Sequence, residues 1–239
     1  MLFFYVRHGD PIYSPDSLTP LGERQAEAVA KRLALFGIDK IYSSTSKRAL
    51  DTSRPTCELV KKEAIQLDFC NESHAWRELT VEREDGDGKT WLFHNAKSKL
   101  LFCSDEIKAL GERWYEHPEF EKYNFKAGIE RIAENTDEFL LSLGYKHINR
   151  SGMYEPVNHT DERVALFAHQ GFGIAFLSHV LGIPYPQFST HFDMTHSGIT
   201  VIEFKPHGGY VIPKVLTLSS DSHLYREGLP LKYNHEVSF

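Results

Sequence analysis

Leu2-Phe3-Phe4-Tyr5-Val6 is an unbroken apolar run that ends at the polar loop Arg7-His8-Gly9-Asp10-Pro11. A run without alternation fits a strand buried on both faces of a parallel sheet. The period then changes: Leu21, Ala26, Val29, Ala30, Leu33 and Phe36 recur at helical spacing, with Glu23, Glu27, Lys31 and Arg32 mostly elsewhere on the wheel. Thr19 suits the N-cap of that helix, Pro20 its first position and Gly37 its stop. Residues 38–42 read as a second strand, and Ser46 caps a helix over 47–63 that Pro55 kinks or restarts.

Further along, Asp85-Gly86-Asp87-Gly88 marks a loop, and residues 91–115 are aromatic-rich and helical in part. Ile129, Ile132, Ala133, Thr136, Phe139, Leu140 and Leu143 give a helix over 126–143. Residues 149–161 are polar and turn-rich. Val164-Ala165-Leu166-Phe167-Ala168 is another fully apolar strand, ending at His169-Gln170-Gly171, with a helix over 172–181 and a hairpin from 199–204 and 210–216 behind it. Strands alternating with helices predict an α/β fold, a three-layer α/β/α sandwich on a mostly parallel sheet. One domain over 1–239 is expected, with a mid-chain helical cap insertion at about 86–124.

Composition narrows the classes. The net charge of −6 argues against a nucleic-acid or membrane-surface binder, and no apolar stretch has transmembrane length. Met1–Val6 is too short for a signal peptide, and three scattered cysteines without a CxxC pair suit a reducing compartment. A cytoplasmic protein is expected; its oligomeric state is not set by these features. The 13 histidines include no HExxH or HxH pair and no Cys/His cluster at zinc spacing, so neither metal nor cofactor is expected. Most, such as His147, His159, His207 and His235, read as scattered surface residues.

Two histidines stand apart. His8 and His169 each follow an apolar strand, and the carboxyl ends of parallel strands are where open α/β sheets bind ligands. Arg7 beside His8 offers a planar fork for phosphate oxygens next to an imidazole that can act as nucleophile. Gly9 permits close backbone approach or positive φ. Arg48 lies in the first turn of the second helix, where guanidinium and helix amides together suit an anion. Alone, Arg48 would more often be a solvated helix charge, and either histidine would as readily be a satisfied loop residue as a functional one. Three cationic or potentially cationic groups after three strands are hard to explain as packing.

The chain resembles the histidine phosphatase, or phosphoglycerate mutase-like, superfamily. The resemblance rests on Phe3-Phe4-Tyr5-Val6-Arg7-His8-Gly9, Leu18-Thr19-Pro20-Leu21-Gly22-Glu23-Arg24-Gln25-Ala26, Ser43-Ser44 with Arg48-Ala49-Leu50-Asp51-Thr52, Trp76-Arg77-Glu78, and Ala168-His169-Gln170-Gly171, in the family order. It implies a metal-independent phosphomonoesterase acting on a phosphorylated small molecule through phosphohistidine. His8 would be the nucleophile; Arg7, Arg48 and His169, with Gln170, would bind the phosphoryl group; and Glu78 would protonate the leaving oxygen. Glu82 and Glu84 read as a solvated charge run, with Glu82 the alternative acid.

Departures bear on the reaction. Ser14 stands where cofactor-dependent mutases carry an asparagine, and the mutase pattern of an acid followed closely by Tyr-Gly is missing after Glu78. A phosphatase is therefore preferred to a phosphoglycerate mutase, or to a non-catalytic member that binds a phosphorylated ligand. Trp76, Trp91, Phe93, His94, Trp114 and Tyr115 either line an aromatic pocket or, the heavier expectation, form the core of the cap.

Overall fold

The computed structural model describes residues 1–237. Its central sheet has six strands in the order Lys214–Ser220, Ile199–Glu203, Leu2–Arg7, Arg163–Ala168, Lys40–Ser44, Ala64–Leu67. The last four run parallel, and the first two are antiparallel additions at one edge. The apolar run at the start of the chain serves both faces. Phe3 and Tyr5 join one buried cluster with Phe139, Phe172 and Phe176, on the face carrying the helices Phe125–Ser142 and Gln170–Leu181. Phe4 and Val6 pack on the other face with Val29 and Leu33 of the helix Pro20–Phe36. This gives the three layers that the alternating pattern predicts.

The caps follow the sequence. Thr19 accepts from the Gly22 amide, Pro20 opens the helix, and Gly37 closes it at φ 73°. Ser46 caps the next helix, Lys47–Val60, which continues through Pro55 instead of restarting there. The expected hairpin is also different. Ile199–Glu203 pairs with Lys214–Ser220, whereas Tyr210–Val211 belongs to a separate four-stranded sheet with Pro206–His207, Tyr154–Pro156 and Tyr145–His147. Pro213, which has no N–H to give a ladder, separates the two pieces.

The mid-chain segment begins with a small ladder between Thr80–Glu82 and Lys89–Trp91 and continues through the helices Ala96–Phe102 and Asp105–Leu110. Its aromatics are mostly core. Trp114 is buried and stacks on Tyr185 at 5.3 Å, and Trp91 and Phe93 stack at 5.6 Å within the main cluster, while Trp76 is partly exposed. No helix of the described residues is long and apolar enough to cross a membrane.

Candidate active site

Register places the site. Arg7 pairs with Ala168 across two parallel strands, so His8 and His169 leave the sheet side by side. Their rings lie 5.2 Å apart, centroid to centroid. The His8 amide donates to Ala168 O at 2.9 Å, and Ser43 of the next parallel strand lies opposite Phe167. Gly9 serves the loop by close approach, since a Cβ there would stand 2.6 Å from the carbonyl oxygen of Gly22.

His8 is buried, and its Nδ1 sits 2.7 Å from Gly9 O. A carbonyl only accepts, so Nδ1 carries the proton and Nε2 keeps its lone pair. Burial, reinforced by His169, Arg7 and Arg48, holds the imidazole well below its ordinary pKa. It is neutral and available as a nucleophile at neutral pH. His196 stacks on His8, centroids 5.7 Å apart, and burial with Arg7 nearby pushes that ring down to about 2.

Arg7 is fully buried, and burial lowers its guanidinium to about 10, so it remains a cation. Its Nη1 donates to Met194 O and its Nη2 to Asn234 Oδ1 at 2.6 Å. Arg48 donates from Nη1 to Asp16 Oδ1 at 2.8 Å and places Nη2 3.2 Å from His169 Nδ1. Among the described residues the Nε groups of both arginines are buried without a partner. Such orphaned donors are costly, and an oxyanion that accepts from them would relieve the cost.

His169 places Nε2 2.8 Å from Ser44 Oγ, and Tyr5 donates from its hydroxyl to His169 O at 2.6 Å. Burial, then Arg48 and Arg7, keep its pKa well below the usual value. Gln170, next in the chain, opens the helix; its Nε2 donates to Asp193 Oδ1 and its Oε1 accepts from Asn234 Nδ2 at 2.6 Å.

Arg7, His8, Arg48, His169 and Gln170 thus meet at one end of the sheet. Glu78 does not. It ends the helix Glu72–Glu78, and Arg131 grips its carboxylate from Nε at 2.8 Å and Nη2 at 2.7 Å. Glu82 is exposed. The carboxylate that reaches the pocket is Glu72, six residues earlier and roughly 9 Å along the helix axis. Its Oε2 lies 3.2 Å from His169 Nδ1 and its Oε1 accepts from the Phe172 amide at 3.2 Å. Gly171 makes room, because a Cβ there would fall 2.5 Å from Glu72 Oε1 and 2.4 Å from Trp91 Cη2. Nothing in the spacing of Asn71-Glu72-Ser73 marks that glutamate. The usable signal was Asn71 as N-cap, which accepts from Ser73 and fixes Glu72 in the first turn.

Among the described residues two groups bring three potential metal ligands together: His8, Glu72 and His169, and Asp137, His147 and His179. The first faces two guanidinium groups, which disfavour a cation. In the second, Asp137 Oδ1 is 2.8 Å from His147 Nδ1 and 2.7 Å from His179 Nε2. The Gly152 amide donates to His147 Nε2 at 3.0 Å, so the His147 proton sits on Nδ1, where a metal would need a lone pair. Hydrogen bonding accounts for this cluster. His147, expected on the surface, has a buried side chain stacked on Tyr154.

Comparison with known proteins bears on the fold and the family. The chain superposes on phosphoserine phosphatase from Entamoeba histolytica with a TM-score of 0.57 at 20% identity, over 93% of this chain and 98% of that one. A mycobacterial glucosyl-3-phosphoglycerate phosphatase gives a TM-score of 0.58 at 18% identity, covering 92% of this chain and 99% of that one. Likenesses at such identity carry the fold. Among curated proteins, none matches the chain by sequence. The model of the histidine phosphatase superfamily (branch 1) matches residues 3–116, the stretch that holds Arg7, His8, Arg48 and Glu72, and agrees with the family that the motifs resemble.

Proposed function

We propose that the protein is a phosphomonoesterase that hydrolyses a small phosphate ester through a phosphohistidine on His8. The observation that carries this reading is the pair of buried Nε donors of Arg7 and Arg48, unpartnered among the described residues, near an unprotonated His8 Nε2. They are the complement of a phosphoryl group, and the nucleophile already stands among them. The solved phosphatases that share the fold support the same class of substrate.

His8 Nε2 attacks phosphorus as the bond to the ester oxygen breaks. Arg7, Arg48 and His169 offset the charge on the equatorial oxygens. Glu72 protonates the departing alkoxide, which leaves as the alcohol. In the second step Glu72 takes a proton from water as the water oxygen attacks the phosphohistidine. Phosphate is released, and His8 and the acid return to their starting forms. The 3.2 Å approach of Glu72 Oε2 to His169 Nδ1 supports this role by placing the carboxyl group beside the residues that would hold the phosphoryl group.

A panel of phosphate esters, with phosphate release and mutase activity followed in parallel, tests the reading. Phosphate release should outrun isomerisation with or without a bisphosphoglycerate. Acid-labile, alkali-stable label should be trapped on the wild type and not on His8→Ala. Isomerisation faster than release, or label retained by His8→Ala, would overturn it.

A further inference from the structure

The chain returns to the pocket at its C-terminal end. After the helix Ser222–Arg226, Leu229 is buried against Ala28 and Leu224, and the segment then crosses to the strand ends without regular structure. Lys232 O accepts from the His196 amide at 2.9 Å, and Lys232 Nζ donates to Asp10 Oδ1 at 2.9 Å. Asn234 follows, and every polar atom of its amide is directed at the site. Oδ1 accepts from Arg7 Nη2 at 2.6 Å and lies 3.1 Å from His196 Nε2, while Nδ2 donates to Gln170 Oε1 at 2.6 Å.

The polarity of this arrangement is fixed. A guanidinium only donates, so the amide must present its oxygen to Arg7 and its NH₂ to Gln170. Gln170 must then donate to Asp193 Oδ1, as it does. The Met194 amide donates to the same carboxylate oxygen at 2.6 Å, and Met194 O accepts from Arg7 Nη1. A closed ring results, running from Arg7 through Asn234 and Gln170 to Asp193 and back through the Met194 peptide. Among the described residues Arg7 has no direct carboxylate partner within 4.0 Å, so the ring is its link to a negative charge. It occupies both Nη groups and, among the described residues, leaves Nε without a partner.

We propose that Asn234 is a positioning residue for phosphoryl transfer. By closing this ring it holds the plane of Arg7 and the amide of Gln170 so that the Arg7 Nε donor stays available to a phosphoryl oxygen. The proposal rests on the phosphatase reading above. It makes the C-terminal segment part of the active site, although the residue stands 226 positions after His8 in the chain.

The test measures binding of inorganic phosphate and orthovanadate by calorimetry, which needs no turnover, alongside steady-state kinetics and thermal unfolding. Asn234→Ala should weaken phosphate binding about tenfold, the usual scale for losing a hydrogen bond to a charged group. KM for the best substrate should rise by a similar factor, with a smaller change in kcat. The unfolding midpoint should stay close to wild type, since Asn234 lies outside the buried core. Asn234→Asp keeps an acceptor for Arg7 but loses the donor to Gln170 and brings a negative charge beside the anion. Its phosphate affinity at pH 7 should be weaker still while its unfolding midpoint stays close to wild type, a split that general destabilisation would not produce. Unchanged affinity in both variants would overturn the proposal. So would tighter binding by Asn234→Ala, which would mark the amide as an occluding group instead. A wild type that binds neither anion and turns over no ester would overturn the phosphatase reading itself and this assignment with it.

Discussion

Glu72 Oε2 lies 3.2 Å from His169 Nδ1, inside the pocket, and Glu78 on the same helix is held by Arg131. Two glutamates in one seven-residue helix therefore have different work. Position on the helix decides it: the first turn faces the strand ends, and the last turn faces the helix Phe125–Ser142.

Glu72→Gln should lower turnover of alkyl phosphates by about 10²–10⁴-fold, the contribution of a positioned proton donor. With p-nitrophenyl phosphate, whose leaving group needs little protonation, the variant should give a burst followed by slow turnover. Glu78→Gln should keep wild-type kcat and lose about 1 kcal/mol or less, because its ion pair with Arg131 is partly solvated. The reverse ranking of the two variants would return the acid to Glu78.

Much of the fold and half of the site logic was legible in the chain. The apolar run before Arg7 and the one before His169 located two adjacent strand ends, and ring proximity followed from parallel register. Thr19, Pro20, Gly37 and Ser46 cap as their types predict. The acid was not legible, because Trp76-Arg77-Glu78 matches a familiar pattern while the choice between Glu72 and Glu78 depends on which helix turn faces the pocket. Arg131, the partner that removes Glu78, lies 53 residues away in sequence. Asn234 was equally hidden, since a segment without periodicity gives no sign of where it packs. The hairpin misreading has the same source: Pro213 breaks a run that hydrophobicity alone joins.

His8 should not titrate in the ordinary histidine range. Protonation would place a buried cation beside Arg7 and Arg48, so the folded-state pKa lies below the unfolded value near 6.5. The stability this contributes is fully present above pH 6.5 and is lost progressively as pH falls towards the folded pKa. His169 behaves alike, and His223, pushed down to about 4 mainly by burial, adds to the effect. NMR should show the His8 ring neutral from pH 8 to pH 5, and urea midpoints should fall over that interval below 6.5. A His8 resonance titrating near 6.5, or midpoints independent of pH, would contradict the burial argument.

Asp137 ties the helix Phe125–Ser142 to the strand Tyr145–His147 and the helix Gln170–Leu181 through one oxygen. Burial raises its pKa, but hydrogen bonds from both histidines outweigh this and hold it well below the usual carboxylate range. Its contribution is present above about pH 4 and lost as pH falls further. Asp137→Ala leaves a buried imidazole without its acceptor and should cost about 1–3 kcal/mol, with kcat unchanged. Zinc titrated into the wild type should leave its unfolding midpoint unmoved. A rise in that midpoint would show that the cluster takes a metal.

Gly171→Ala separates the acid from the anion site. Gly171 occupies the second position of the helix Gln170–Leu181, and alanine is a better helix former than glycine. The backbone therefore has no reason to resist the change. The methyl group does meet resistance: it would stand 2.5 Å from Glu72 Oε1 and 2.4 Å from the Trp91 ring. Trp91 is buried and cannot swing away freely, so Glu72 has to yield. Arg7, His8 and Arg48 lie on other elements and keep their geometry. Hydrolysis of alkyl phosphates should fall by about 10²-fold, as expected when a catalytic group is displaced by about an ångström. Affinity for inorganic phosphate should change by no more than about twofold, well under the 1.4 kcal/mol that a tenfold loss represents. If activity survives intact, Glu72 does not act from the position seen here; if phosphate affinity collapses with activity, the acid and the anion pocket are one unit and the division of labour between them is wrong.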